Sequence, residues 1–524
     1  MRKLSTLFCA VLMTLSAMAT DYKGNLTVSI NGEGSTQPAT ISIVENAGKY
    51  NLSILNFMLG EGESVLPVGN IVIENVTGAV AGNLTTLYVN KNITIQKGNV
   101  AGIADDAWLG PMLGEVPVKM SSSFNTNGFL GVNIDIDMVS TLGQVIKVTF
   151  ENVGTHFQMP NSDFETWSNE NNAPKHWHGF ESVKGKLSGT AKSKTKLVSS
   201  KNVRPGSKGL TSAVVTSTKV FTVIANGTMT NGVLNAGSMS AADASNHSET
   251  DLSSTSKDAN GDPFATPMYA KPDSVKFWMR FTQAKAQASY PYAAFNAVIT
   301  DGTYYQDPEN KTYTNKVAVA APNKADMTVG DWRLVSCPFD YASYAANGAE
   351  AKAILLTVST NATPGKGSYS NGVADSVYVD DLELVYLADI KSVSFKGATL
   401  DLTNTDIDIA DDDVISASDF VVEKIGEDAK VTTLVEANAK GYQAVISVVS
   451  GDLNTQKTLV FNFNKPVWAD GDVNHDGVVD LADVTLLINK VLGNDATQLY
   501  NPDVNADGNV DVADVTTLVS LILG

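Results

Sequence analysis

Two stretches near the end of the sequence carry oxygen-bearing side chains at the spacing of a calcium-binding loop. The first runs from Asp472 to Asp483 and the second from Asp503 to Asp514. An EF-type loop offers a hard cation about six to eight oxygens from positions 1, 3, 5, 7, 9 and 12, with glycine at position 6. Gly477 and Gly508 occupy that sixth position. The predicted ligands are Asp472, Asn474, Asp476, the carbonyl of Val478, Asp480 and Asp483 in the first loop and Asp503, Asn505, Asp507, the carbonyl of Asn509, Asp511 and Asp514 in the second.

Each loop places four carboxylates within twelve positions. A solvated acidic loop is the alternative interpretation, but two full matches in one chain make chance a poor explanation. Because the carboxylates repel one another, the compact state is disfavoured until a cation neutralises them. The sequence therefore predicts two calcium sites and coupling of calcium binding to folding.

The elements that must position these loops are two exit helices. Apolar residues recur at the helical i, i+3, i+4, i+7 spacing after each loop. Position 12 is Asp rather than Glu, and the run Lys465–Trp468 before the first loop contains a proline and does not read as an entering helix. The residues of the two predicted apolar faces are Val484, Leu487, Ile488 and Val491 after the first loop and Val515, Leu518, Val519 and Ile522 after the second.

Paired loop-and-exit-helix repeats of this kind resemble a type I dockerin, over residues 468–524. The resemblance implies that the module docks onto a cohesin-like partner. In dockerins the partner is often recognised by residues at loop positions 10 and 11, which commonly carry hydroxyl groups. Here those positions hold Leu481-Ala482 and Val512-Ala513, so calcium binding is expected to be retained while the identity of the partner stays open.

Composition and the N-terminal residues indicate an exported protein. The chain has 524 residues and a net charge of −19, which argues against nucleic acid because that ligand requires a basic surface. Residues 1–19 combine a positive start, an apolar run and a small-residue cleavage site, as in a secretory signal peptide. No later apolar run reaches the about twenty residues of a membrane span. Cys337 would be the one cysteine left after cleavage and is expected to be a buried apolar residue.

Short alternating runs separated by turn residues predict a mainly β, multidomain fold. Residues 22–152 contain eight such runs and resemble a calycin-like barrel. Residues 391–466 contain fewer and fit a small immunoglobulin-like sandwich spacer. The length supports several domains of this kind rather than one core.

Residues 156–388 are predicted to form a jelly-roll sandwich. The opening stretch 161–167 and the closing stretch 376–386 resemble the first and last strands of carbohydrate-binding jelly rolls, and the opening is also similar to a carbohydrate metabolism domain that occurs beside calycin-like domains. In jelly rolls of that type an acidic residue of the first strand and an Asp of the last often share a structural calcium. The resemblance implies Glu165 and Asp381 as those two residues.

Sugar recognition commonly uses an aromatic face beside polar groups, and Trp278 fits that description best. In the strand Val275–Phe281, alternation places Lys276, Trp278 and Arg280 on one face and apolar residues on the other. The alternative is that Trp278 packs under cationic side chains or a loop. Trp177 and Trp167 are further candidates in the same domain.

The sequence thus predicts a non-catalytic, glycan-binding modular protein, extracellular or at the cell surface. An enzyme is the alternative, because glycoside hydrolysis needs only two carboxylates facing each other across a cleft, and such a pair is not visible in a sequence. A structural or adhesive surface protein is the third possibility. Acidic residues open to a catalytic interpretation are Glu165, Asp301, Asp307 and Glu309.

Overall fold

The computed structural model describes residues 19–60, 65–152, 158–168, 173–194, 197–494 and 499–524. Nearly all of the predicted signal peptide lies outside these ranges. The chain divides into two compact units, and the predicted spacer 391–466 contributes residues to both. The first unit comprises Met1–Ser392, Val422–Thr432 and Ser447–Thr458, and the second comprises Val393–Val421, Thr433–Ile446 and Leu459–Gly524.

Eight antiparallel strands close into a barrel at the start of the described chain, which confirms the predicted barrel. The last strand pairs with the first from Gly24↔Asn152 to Ile30↔Ile146. Alternate residues such as Leu26, Ile41 and Leu52 are fully buried, so side chains fill the interior. The strands are β1 Ala19–Ile30, β2 Glu33–Asn46, β3 Lys49–Leu59, β4 Leu66–Ala81, β5 Leu84–Thr94, β6 Glu115–Asn125, β7 Leu130–Met138 and β8 Gln144–Asn152, with short helices α1 Leu109–Met112 and α2 Val139–Leu142.

The middle of the first unit contains two five-stranded sheets that share one apolar core. Phe277 of one sheet stacks on Phe295 of the other, with ring centroids 4.1 Å apart. The first sheet has the order β21-β17-β25-β10-β9, and the second has the order β13-β22-β18-β20 with β16 also paired to β22. These strands are β9 Leu197–Ser200, β10 Ser212–Thr216, β13 Thr228–Thr230, β16 Thr266–Pro267, β17 Ser274–Thr282, β18 Ala294–Thr300, β20 Lys316–Ala320, β21 Gly330–Pro338, β22 Ala353–Ser359 and β25 Ser376–Val385.

Smaller elements flank this sandwich. A three-stranded sheet has the order β14-β15-β19, and two hairpins pair β11 with β12 and β23 with β24. The predicted first strand at 161–167 is wrong, because Asn161–Asp163 form a turn and Trp167 makes only an isolated bridge to Pro174. These elements are α3 Ser188–Lys192, β11 Thr218–Val220, β12 Val223–Ala225, β14 Val233–Ala236, β15 Asn246–Thr250, β19 Tyr305–Asp307, β23 Tyr369–Ser370 and β24 Val373–Ala374.

Seven further strands form two sheets, with the orders β27-β26-β29 and β28-β32-β31-β30. Phe395, Phe420 and Phe463 cluster within the second unit, with centroid separations of 4.7 to 5.7 Å. The chain then ends in two helices. These elements are β26 Asp389–Phe395, β27 Ala398–Thr399, β28 Asp406–Asp408, β29 Phe420–Ile425, β30 Lys430–Asn438, β31 Gly441–Val449, β32 Gln456–Asn464, α4 Leu481–Val491 and α5 Val512–Leu523. Short 3-10 turns in the described residues lie at Asp105–Ala107, Phe180–Ser182, Lys324–Met327, Ala342–Asn347 and Ala417–Asp419.

Cys337 lies in β21 and packs into the sandwich core, as expected from its apolar surroundings. Burial raises the pKa of its thiol to about 11.

Since the thiolate is the reactive form, we expect the folded chain to react with a disulfide reagent at pH 8 about a hundredfold more slowly than the unfolded chain. A Cys9→Ser chain leaves Cys337 as the one thiol for this measurement. Equal rates in buffer and in guanidinium would contradict the prediction.

Candidate calcium centre and docking surface

The first acidic loop is held in shape by its own carboxylates. Asp472 accepts from the N–H groups of Asp476 and Gly477, at 3.2 and 3.0 Å. Asp476 in turn accepts from the N–H of Val478 at 3.0 Å. These bonds tie position 1 of the loop to positions 5 and 6, and position 5 to position 7.

The second loop repeats the pattern. Asp503 accepts from the N–H groups of Asp507 and Gly508, at 3.0 and 2.8 Å, and Asp507 accepts from the N–H of Asn509 at 2.9 Å. Two stretches with matching residue types therefore have matching hydrogen bonds.

The aspartate at position 12 joins each loop to its helix. Asp483 accepts from the N–H of Asn474 at 3.1 Å and from the N–H of Asp480 at 2.9 Å. The Asp480 side chain accepts from the N–H groups of Ala482 and Asp483, and the bond from Asp483 together with the Asp480 N–H bond to Asp483 forms a capping box at the start of α4. Asp511 and Asp514 do the same for α5. The aspartate at position 12 thus also serves as the N3 residue of a capping box, a position that Glu commonly fills in other helices.

Two positions in each loop require a left-handed backbone. Gly477 has a φ of 91° and Gly508 a φ of 92°, a conformation that glycine adopts without strain. The residues at position 4, His475 and Ala506, both have a φ of 57°. The left-handed turn at position 6 therefore accounts for the glycine found there in both loops.

The donor set suits a hard cation. Carboxylate, amide and carbonyl oxygens are the ligands that calcium prefers, and Asp483 and Asp514 are fully buried carboxylates. The N–H of Asp511 holds the pKa of Asp514 below its usual range, and burial opposes that shift. The carboxylates here bond to backbone N–H groups, and within the described ranges no three His, Cys, Asp or Glu side chains are already arranged to hold a metal ion. The ligand assignments therefore stay predictions.

The two exit helices confirm the predicted helical C-terminus and pack on each other. Their shared core contains Val473, Val484, Leu487 and Leu518. Ile488 and Ile522, which the periodicity placed on the same apolar faces, are exposed at 39% and 38%. The buried stripe is therefore narrower than predicted.

An aromatic stack that was not anticipated from the sequence joins the first loop to residues that precede each loop. His475 of the first loop stacks between Trp468 and Tyr500, with centroid distances of 4.5 and 3.9 Å. The N–H of Tyr500 also donates to the carbonyl of Val473 at 3.0 Å. The sequence signal for this stack is one ring-bearing residue before the first loop, one within it and one after it.

Position 10 of each loop is solvent-facing. Leu481 and Val512 are 73% and 67% exposed, and each begins its helix. The two repeats thus present one apolar residue each at the position that a dockerin uses to meet its partner.

The predicted sugar platform Trp278 is half-buried on the outer face of β17. The Arg204 guanidinium lies 5.2 Å from its ring centroid, in a cation–π contact. The predicted cationic neighbours are engaged elsewhere, since Lys276 pairs with Glu383 at 2.8 Å and Arg280 lies over the ring of Tyr378. Val275, Phe277, Met279 and Phe281 all face the core as alternation predicted. One face of Trp278 is therefore already covered by protein.

Trp177 and Trp167 do not form a platform with Trp278. Trp177 is 1% exposed and packs against Phe164, so the prediction that it binds sugar is wrong. Trp167 is half-buried, and its indole N–H donates to the carbonyl of Phe164 and the hydroxyl of Thr211. Both rings fill the edge of the sandwich core.

Glu165 and Asp381, the predicted structural calcium pair, each have protein partners. Glu165 accepts from the N–H groups of Leu210 and Thr211, at 3.0 and 2.9 Å. Asp381 forms an ion pair with Arg204. Arg204 thus supplies at Asp381 the positive charge that the predicted ion would have supplied.

The fold and these loops define a modular, mainly β protein with a closed barrel at residues 19–152 and a paired loop-and-helix module at residues 472–523. Comparison with protein families then specifies both ends. A calycin-like beta-barrel domain matches residues 18–153, and a dockerin type I domain matches residues 470–523. Type I dockerins typically bind calcium and a cohesin partner, and proteins that carry them are typically extracellular or at the cell surface.

The other comparisons add little. A crystal structure from Bacteroides fragilis NCTC 9343, of a protein provisionally described as an outer membrane protein, aligns at 10% identity over 65% of this chain and 96% of that chain, with a TM-score of 0.18. A score this low carries no inference. The search of curated proteins returned no match. In the described part of the chain, no helix combines the length and apolar character needed to cross a membrane.

Proposed function

We propose that this chain is a secreted, non-catalytic glycan-binding protein that docks through two calcium loops to a cohesin-like partner. The observation that carries the docking part is the doubled loop, whose two copies share residue types, hydrogen bonds and helix caps. The dockerin family match supports the same assignment.

The glycan part is supported by the two-sheet sandwich in residues 197–385, whose closing strand β25 falls in the stretch that resembles carbohydrate-binding jelly rolls. The candidate carboxylates have ordinary structural partners. Asp301 accepts from the N–H of Thr303 at 2.9 Å in a turn, and Glu309 pairs with Lys316 at 2.6 Å. These contacts favour binding over hydrolysis.

The two activities are expected to separate when calcium is removed. We expect the full chain to bind both a cohesin and a glycan in calcium, and only the glycan in excess EGTA, because the paired calcium loops lie in the docking module, while Asp381 of the sandwich is paired with Arg204. Pull-down on polysaccharide beads and on immobilised cohesin measures both. Release of reducing ends that stops when one carboxylate is changed would instead show an enzyme. Binding to neither kind of bead would leave the adhesive alternative.

A further inference from the structure

A cavity of about 380 Å³ lies on the sheet formed by β13, β22 and β18, on the side away from the sandwich core. Strand alternation points Phe295, Leu356 and Val358 into the core and leaves polar residues of the same strands on the cavity side. Register places Asn296 opposite Thr357, and Ser359 opposite Thr228. The floor is thus a cross-strand patch of hydroxyl and amide groups.

The walls come from elements around this floor and are mostly apolar. Helix α3, the β11–β12 hairpin and the β14-β15-β19 sheet each contribute residues. The volume lies within the range of about 300–1,000 Å³ that is usual for small-molecule sites. Apolar wall residues include Phe180, Leu187, Val223, Leu234 and Met239.

Among the residues that the structure describes, three polar atoms at this cavity are buried without a hydrogen-bond partner. They are the hydroxyl oxygens of Ser248 and Thr357 and the amide oxygen of Asn226. Ser248 is 2% exposed, and its strand register places it opposite Asp307, another wall residue. Buried polar groups in folded proteins nearly always have partners. Three unpartnered groups at one cavity therefore point to a ligand that brings its own donors and acceptors.

The charges of the residues that line the cavity favour a neutral ligand. No Lys or Arg is among the described residues that line the cavity, so an anion would meet no counter-charge. Both ring nitrogens of His247 are engaged, with the carbonyl of Ala244 and with Glu249. Asp307 is the one carboxylate of the described lining, and burial raises its pKa while a hydrogen bond with Asn296 opposes that shift.

We propose that this cavity binds the terminal one or two sugar units of a neutral glycan. Hydroxyl groups of the sugar would satisfy Ser248, Thr357 and Asn226, and the apolar walls would cover its C–H surfaces. The single carboxylate in the described lining fits binding, because glycoside hydrolysis uses two. The assignment rests on the proposed glycan-binding function and specifies its site.

The test uses the full chain and titration calorimetry with neutral mono- and disaccharides, including glucose, galactose, mannose, N-acetylglucosamine, xylose, cellobiose and maltose. Ser248→Ala and Thr357→Val each remove a hydroxyl that has no hydrogen-bond partner in the described part of the chain. We expect each variant to bind the recognised sugar about tenfold more weakly, with a melting temperature equal to or above that of the unchanged chain. The exposed Thr399→Val serves as the control outside the cavity and should leave the affinity unchanged. Trp278→Ala tests the competing site on the outer face of β17.

Two results would overturn the assignment of the cavity, and only the second would also overturn the proposed glycan-binding function. Sugar binding that survives both cavity changes and is lost in Trp278→Ala would move the site to the outer face of β17 and leave the proposed function intact. Absence of binding by the unchanged chain to the sugars and to a polysaccharide panel would overturn both the cavity assignment and the glycan-binding function. The melting temperature of each variant verifies that the chain is folded, and cohesin capture in calcium verifies that its C-terminal module is competent to dock.

Discussion

Removal of calcium is expected to unfold the C-terminal module and to lower its affinity for a cohesin on the order of a hundredfold or more. Each loop concentrates four carboxylates, and Asp472, Asp483 and Asp514 are buried at 3%, 0% and 0% exposure. Without a cation, these charges repel one another in the folded loop and can separate in the unfolded chain. A ligand at a hundred times its Kd stabilises the folded state by about 2.7 kcal/mol per site.

Limited proteolysis of the full chain with mass-spectrometric mapping measures this effect directly. We expect cleavage within residues 472–523 in EGTA and protection in calcium, while cleavage elsewhere stays the same. Asp483→Asn should lower calcium affinity at least about tenfold, because it changes a ligand and a helix cap together. Asp412→Asn, an exposed acid outside the loops, is the matched control. Equal protection with and without calcium would contradict the coupling of calcium to folding.

The features that the sequence predicted correctly depend on local geometry. Alternation placed Phe277 in the core and Trp278 on the outer face because a strand repeats every two residues. The helices after each acidic loop were predictable because their caps and apolar spacing lie within a dozen positions. The eight-stranded barrel followed from eight short runs that pair mainly with their sequence neighbours.

The features that the sequence did not predict depend on contacts between distant residues. Arg204 covers Trp278 from 74 positions away, and no local pattern encodes that contact. No local sequence feature distinguishes Trp177 from a surface tryptophan, because its burial depends on packing against Phe164 and the sandwich core. The cavity floor needs β13, β18 and β22 side by side, although Thr228 and Ser359 are far apart in the chain. At those residues, burial and the pairing of distant strands therefore determine the environment of the side chain.

Changing the apolar residue at position 10 of both loops is expected to abolish cohesin binding without affecting calcium. Leu481 and Val512 are 73% and 67% exposed, and their side chains are not ligands, so Leu481→Lys and Val512→Lys should each change folding stability by no more than about 0.5 kcal/mol. At an interface, burying an unpaired lysine in place of an apolar contact costs more than 2 kcal/mol for a central residue, a loss of about thirtyfold or more. Because both repeats present the same kind of residue, either can serve as the contact.

Each single change is therefore expected to weaken binding less than the double change does. Calorimetry with a cohesin in solution measures binding to the partner, and a calcium titration of the same samples measures metal binding. The two measurements together separate partner recognition from calcium binding. Leu492→Lys, at a residue 65% exposed at the end of α4, is the matched control for adding a charge to the module surface. If that variant loses cohesin as completely as the double variant, net charge rather than position 10 decides recognition. If the double variant binds as well as the unchanged chain, the partner contacts a different face of the helices. The partner would then not recognise the apolar residues at position 10.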